Sequence, residues 1–210
     1  MLMRFWEVLS QLALRKSEDL GVKPMELVHA LKEWQVAVAA LEQGETIVLL
    51  RKGGIREAGG RFAVQHERVW LYPTVEHQKP ELLKPPYAER VKPVASGWQP
   101  DSIRISAWAE ITHVFPVTDA TAVMNLLPLH VWNATFVTER LQWQPTQPIY
   151  VLLLRVQRLI QPVSIPYSAS FGGCKSWIAL EVPLATQPSE PVIDAPTYRD
   201  RVATIQSILS

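Results

Sequence analysis

The residues best suited to chemistry in this chain are gathered between Arg51 and Lys92. Nine lysines and arginines stand there against five glutamates, a local excess of four positive charges, whereas the rest of the chain holds twelve basic and fifteen acidic residues. The net charge of the whole chain is only +1, which excludes a globally basic nucleic-acid binder and leaves a local patch. Arg51, Lys52 and Arg56 are of the types that position phosphates. His66, Tyr72, His77 and Gln78 bring the aromatic and hydrogen-bonding groups that line a pocket, and Lys175 is a further cation that a sheet brings near them.

The same segment admits a catalytic reading. Glu57 and His77 would supply acid–base chemistry to a phosphoester or nucleotide hydrolase, with Arg51 and Arg56 stabilising developing negative charge. That reading requires Glu57, His66 and His77 to meet in one pocket. A metal centre is not expected, because His66 and Glu67 point to opposite faces of a strand and no HExxH spacing occurs. The pairs Gly53-Gly54, Gly59-Gly60 and Gly172-Gly173 form no phosphate-loop motif and read as turns. Cys174, the only cysteine, excludes an internal disulfide and reads as a small core residue. No cofactor is implied.

These residues need elements to position them. Residues 3–16 read as an amphipathic helix. Leu27, Leu31, Trp34, Val38 and Leu41 recur at helical spacing after Pro24, which predicts a second helix closed by Gly44. The strings 45–52, 61–74, 101–117, 148–159 and 174–182 read as strands. The string 148–159 is apolar on both faces at its start and therefore central. Four prolines between residues 80 and 93 force a loop or short-helix excursion. Asp119 caps a short helix, residues 130–141 form another with Trp132 and Phe136 one turn apart, and 198–209 reads as a detached helix. Of the eight tryptophans, most should fill the core, and Trp98 in the loop SGWQPDS should be exposed.

The organisation expected is a helical extension over 1–23, one core domain over 24–182, and a linker with a C-terminal helix over 183–210. The class is α/β in the α+β sense, one mixed or antiparallel sheet flanked by helices. No apolar run approaches the roughly 18 residues of a membrane span, and the first segment lacks a cleavage signal, so a cytoplasmic protein is expected.

The strings LRKGGIRE (50–57), LYPTVEHQKPELLKP (71–85) and GGCKSW (172–177) together resemble a bacterial domain family of unknown function, over roughly residues 30–181. Some members of that family accompany restriction-endonuclease-like domains, which implies a role around DNA or RNA processing. Residues 1–24 lie outside the resemblance, and Met25 is an alternative place for translation to begin. A helix followed by Gly44 and a strand ending in Arg51 also resembles the opening of ASCH domains of the PUA-like superfamily, whose motif is GxKxxExR. Gly44 and Arg51 keep its ends, while Thr46 and Leu49 replace its lysine and glutamate. The resemblance implies an open PUA-like barrel that binds nucleic acid in a cleft, with the support for hydrolysis removed. A nucleic-acid-binding module is therefore the first reading and the hydrolase the second. A protein-interaction role, with residues 3–16 presenting an apolar stripe to a partner, is the third.

Overall fold

The protein is described here from a computed structural model covering residues 26–52, 62–95, 97–173, 175–185 and 188–210, with the backbone alone for residues 26 and 181–185. The expected helix over 3–16, the glycine pairs at 53–54 and 59–60, Arg56, Glu57 and Cys174 lie outside those residues. Seven strands form one mostly antiparallel sheet: β1 (Glu26–Trp34), β2 (Val48–Arg51), β3 (Arg68–Thr74), β4 (Ser102–Val117), β5 (Ile149–Pro166), β6 (Trp177–Ala185) and β7 (Ser189–Pro191). Their order is β2-β5-β4-β3-β1-β6, and β7 also pairs with β5. Only β1 and β3 run parallel to each other. The expected class, an α+β chain on one sheet, is the one that forms, and the sheet is not closed.

Sequence and structure disagree first at β1. Residues 26–34, expected as the start of a helix, form a strand paired with β3 on one side and β6 on the other. The apolar spacing that suggested a helix arises because both faces of β1 are buried. Leu31 belongs to the larger core, with Leu71 and Val69 of β3, while Ala30 joins a smaller core with Trp70 and Tyr72. A strand covered on both faces loses the simple alternation that identifies it. The helix α1 (Gln35–Glu42) begins only after Trp34. It ends as predicted at Gly44, whose φ of 70° suits glycine; the Glu45 N–H reaches the Ala40 carbonyl at 2.9 Å and the Gly44 N–H reaches Leu41 at 3.1 Å. That pattern satisfies the last carbonyls of the helix.

The Pro-rich excursion forms a single 3-10 turn over Pro80–Leu82 and a short helix α2 (Pro85–Ala88). Asp119 caps α3 (Ala120–Asn125) through the Thr121 N–H. The next helix, expected from residue 130, starts later, as α4 (Ala134–Gln142). Asn133 delays it: its side-chain oxygen accepts from the Phe136 N–H at 3.1 Å. Its amide nitrogen donates to Glu81 and Leu83 carbonyls at 2.8 and 3.2 Å. Asn133→Ala should therefore cost about 1–2 kcal/mol by removing the cap and the tie to the 3-10 turn. Urea unfolding measures this, and a loss below about 0.5 kcal/mol would contradict the role.

The C-terminal stretch departs from its expected form as well. Part of the segment expected as linker supplies β7, and α5 (Ala195–Leu209) is docked through Tyr198, Val202 and Ile205, all buried in the larger core. β5 is central, as its composition predicts. It pairs with β4 along one edge, while its other edge is shared by β2 at residues 150–153 and β7 at residues 157–159.

In the sheet order, four strand spacings separate β2 from β1. At about 4.8 Å each they would put these strands roughly 19 Å apart in a flat sheet. Arg51 at the end of β2 nevertheless lies 3.2 Å from Glu33 at the end of β1. The sheet is therefore rolled, and side chains rather than backbone ladders bridge its open side.

Candidate functional site

The C-terminal end of β1 organises the site, because successive residues of a strand point to opposite faces. Lys32 faces the smaller core. It sits across from Tyr72 in the parallel register, is buried, and its ammonium donates to the Phe171 and Gly173 carbonyls at 2.6 and 2.9 Å. Glu33 faces the opening between β1 and β2. Its carboxylate accepts the Trp34 N–H at 2.7 Å and is paired with Arg51, and the two side chains are only 7% and 16% exposed. The Arg51 guanidinium also donates to the Lys32 carbonyl, while its buried Nε has no partner among the described residues.

Two more cations complete this group. Lys52 donates to the Arg140 carbonyl at 2.6 Å, and burial, then the nearby Arg140 charge, pulls its ammonium below the usual lysine range. The Arg140 guanidinium lies 5.0 Å over the Phe136 ring and 6.0 Å from that of Trp143. Burial is the main influence lowering its basicity, opposed by Glu33 and aided by Arg51. Arg140 forms no ion pair within 4 Å among the described residues. Arg51, Lys52 and Arg140 against Glu33 and Glu139 leave a net charge of +1 at the opening, with Arg140 as the cation whose planar donors are held ready by ring stacking.

Aromatic groups border the cations. Tyr150 lies opposite Arg51 in the β2–β5 register. Phe62 is buried 5.6 Å from the Tyr150 ring and 5.8 Å from that of Trp177. His66 stacks on His29 of β1 at 3.6 Å and meets Trp177 edge-on. Burial, then the neighbouring His29, lowers the His66 pKa.

A second feature lies beyond the end of β3. A cleft of about 310 Å³ opens between the loop that follows β3 and residues 91–97, lined by Val75, Glu76, His77, Gln78, Val91 and Val94 among others. Gln78 is anchored there: its side-chain oxygen accepts the Val36 N–H at 3.1 Å, which caps α1 from a distance. His77 is exposed and has a φ of 59°, a left-handed conformation few side chains other than glycine and asparagine adopt without cost. Tyr72 is buried beside Lys32, and burial, Tyr167 and Glu76 together raise its pKa. Lys175 is exposed and donates to the Ser170 carbonyl at 3.1 Å, so it closes the same 168–173 turn that holds Lys32.

Of the residues singled out in the sequence, Arg51 and Lys52 thus come together, and Tyr72, Gln78 and Lys175 surround the same end of β1. His66 and His77 do not converge. The first precedes β3 and the second follows it, and the seven residues of that strand span about 20 Å. Glu33 and Arg140 were missed. Glu33 sat in what reads as a helix, and Arg140 looks like one charge on a solvated helical face. The one available signal was Phe136 four residues before Arg140 and Trp143 three after, a spacing that stacks a guanidinium on rings. Thr46 and Leu49, where the chain departs from GxKxxExR, are both buried. The Thr46 hydroxyl donates to the Leu129 carbonyl at 2.7 Å, which places it in the interior.

A family model described as Domain of unknown function (DUF1802) matches residues 30–204. The chain belongs to the DUF1802 family. No curated protein matches this DUF1802 chain. Among solved structures it is similar to ASCH from Zymomonas mobilis, at 16% identity over 73% of this chain and 87% of that chain, with a TM-score of 0.43. A mutant of the same protein aligns over 84% of the DUF1802 chain and 94% of its own, at 14% identity and a TM-score of 0.44. No residue role is carried over from either. Among the described residues of the DUF1802 chain, no helix is long and apolar enough to cross a membrane, and no three metal-ligating side chains are grouped.

Proposed function

We propose that this chain is a cytoplasmic nucleic-acid-binding module of PUA-like type, which holds the phosphate backbone at the opening between β1 and β2. The supporting observation is the cluster of three cations, Arg51, Lys52 and Arg140, against the buried carboxylate Glu33 and the neighbouring Glu139, bordered by Tyr150, Phe62 and Trp177. Arg51 is committed to Glu33 and acts as scaffold. Arg140 offers its donors to a phosphate, and Lys52 adds charge above it. Phosphate contacts displace counterions, so affinity falls as salt rises, while the aromatic border favours unpaired bases over duplex.

Fluorescence anisotropy with labelled RNA and DNA strands at two or more salt concentrations tests the reading. Binding should be clear at low salt, and Arg140→Gln should weaken it about uniformly across sequences while reducing the slope of log K against log salt by about one. The absence of binding to RNA and DNA at low salt would refute the proposal.

A further inference from the structure

We infer that the cleft beyond β3 receives a single unpaired nucleobase, and that Trp98 stacks on the base next to it. This rests on the nucleic-acid reading above and adds what that reading leaves open, namely how the protein engages bases rather than backbone. The cleft, at about 310 Å³, lies at the small end of the roughly 300–1,000 Å³ typical of small-ligand sites, large enough for one base and its sugar. Its walls include Val75, Pro80, Val91 and Val94, which suit the flat apolar faces of a base. The consecutive residues Glu76, His77 and Gln78 offer both donors and acceptors for its edge, and Lys92 lies at the same cleft.

Trp98 is the independent observation. It is 47% exposed, and with Val94 it makes two of the five exposed large apolar side chains of the described residues. Val94 lines the cleft, and Trp98 directly follows Gly97, which also lines it. Its half-exposed indole offers a ring face beside the cleft on which a base can stack. The backbone presents it deliberately: Gly97, at a φ of 79° with nothing within 4 Å of where a Cβ would stand, allows a tight turn closed by the Trp98 N–H on the Ala95 carbonyl at 3.0 Å. His77 on the facing loop is likewise held in a left-handed conformation with its ring exposed. Two loops with left-handed backbone thus place one exposed ring in the cleft, that of His77, and a second one residue beyond its lining, that of Trp98. Every base has a π-face, so the occupant this arrangement fits is a single strand.

The experiment compares two labelled strands of about 12 nucleotides, equal in length and charge, one carrying bases and one abasic along its centre. It is run in ribose and deoxyribose series on wild type, Trp98→Ala and His77→Ala, with melting temperatures as the folding control. Wild type should bind the base-bearing strand about tenfold more tightly in at least one sugar series. Trp98→Ala should abolish that preference and His77→Ala reduce it, both leaving the salt dependence unchanged. Equal affinity of wild type for base-bearing and abasic strands, or a full preference surviving in Trp98→Ala, overturns this inference while leaving the phosphate reading standing. Failure of both strands to bind at low salt overturns both readings.

Discussion

Glu33→Ala should lower the unfolding free energy by about 3–5 kcal/mol, because it strands Arg51 as an uncompensated charge in a nearly closed site. Arg51 is 16% exposed, its Nε already lacks a partner among the described residues, and Arg140 stands close enough for the two positive charges to oppose each other. Without that carboxylate, the repulsion in a partly desolvated opening loses its largest offset, and only Glu139 remains to oppose it. Arg51 also donates to the Lys32 carbonyl, so its displacement would disturb the end of β1. The double variant Glu33→Leu with Arg51→Met removes both charges and should recover most of the loss, since a buried pair is often replaceable by apolar side chains. Urea unfolding of the single and double variants decides the matter. A cost below about 1 kcal/mol for Glu33→Ala would mean that solvent reaches the pair and that the opening is not the low-dielectric site described above.

Acid should destabilise the protein through His130 well before carboxylate protonation dominates. His130 is 2% exposed, and neither ring nitrogen has a hydrogen-bond partner; the Trp132 backbone favours the charged form slightly but lies outside hydrogen-bonding geometry. Burial, with the Lys84 ammonium second, pushes its pKa down to about 3. In the unfolded chain the same imidazole titrates near its ordinary value of about 6.5. Below that pH the unfolded state binds a proton that the folded state refuses, so stability present above pH 6.5 is lost as pH falls toward 3. Linkage gives about 3 kcal/mol between pH 7 and pH 4. His130→Leu should erase that component, so the difference in stability between variant and wild type should shift by about this amount over the same interval. A constant difference from pH 7 to 4 would show that the imidazole is protonated in the folded protein. The effect reaches the proposed site, because the Lys84 ammonium holds the His130 carbonyl just before the helix that carries Arg140.

What could be read in the sequence follows from how each element meets solvent. β4 and β5 were legible because long runs of β-formers are bounded by proline and asparagine or aspartate. The Gly44 stop and the Asp119 cap were legible because their chemistry is local. β1 was not, since its pairing with β3 and β6 is long-range and its doubly buried faces imitate helical spacing. The docking of α5 depends on Tyr198, Val202 and Ile205 finding a surface made elsewhere. At the site, Arg51 and Lys52 stood out as cations closing a strand. Glu33 and Arg140 join them only through the rolling of the sheet, which no local pattern encodes. The extended backbone of β3 sets His66 and His77, only eleven positions apart in sequence, at its opposite ends.

The edge of β5 shared by β2 and β7 has a bearing on the life of the protein outside its folded state. The string IYVLLLRV is of the kind that seeds intermolecular cross-β stacking: β-rich, nearly uncharged and free of proline and glycine. In the native chain the outer edge of β5 is occupied in two instalments: β2 covers Tyr150–Leu153, within that string, and β7 covers Gln157–Leu159, just beyond it. The string is thus guarded by β2, and a chain lacking its last portion bares only Gln157–Leu159 of that edge.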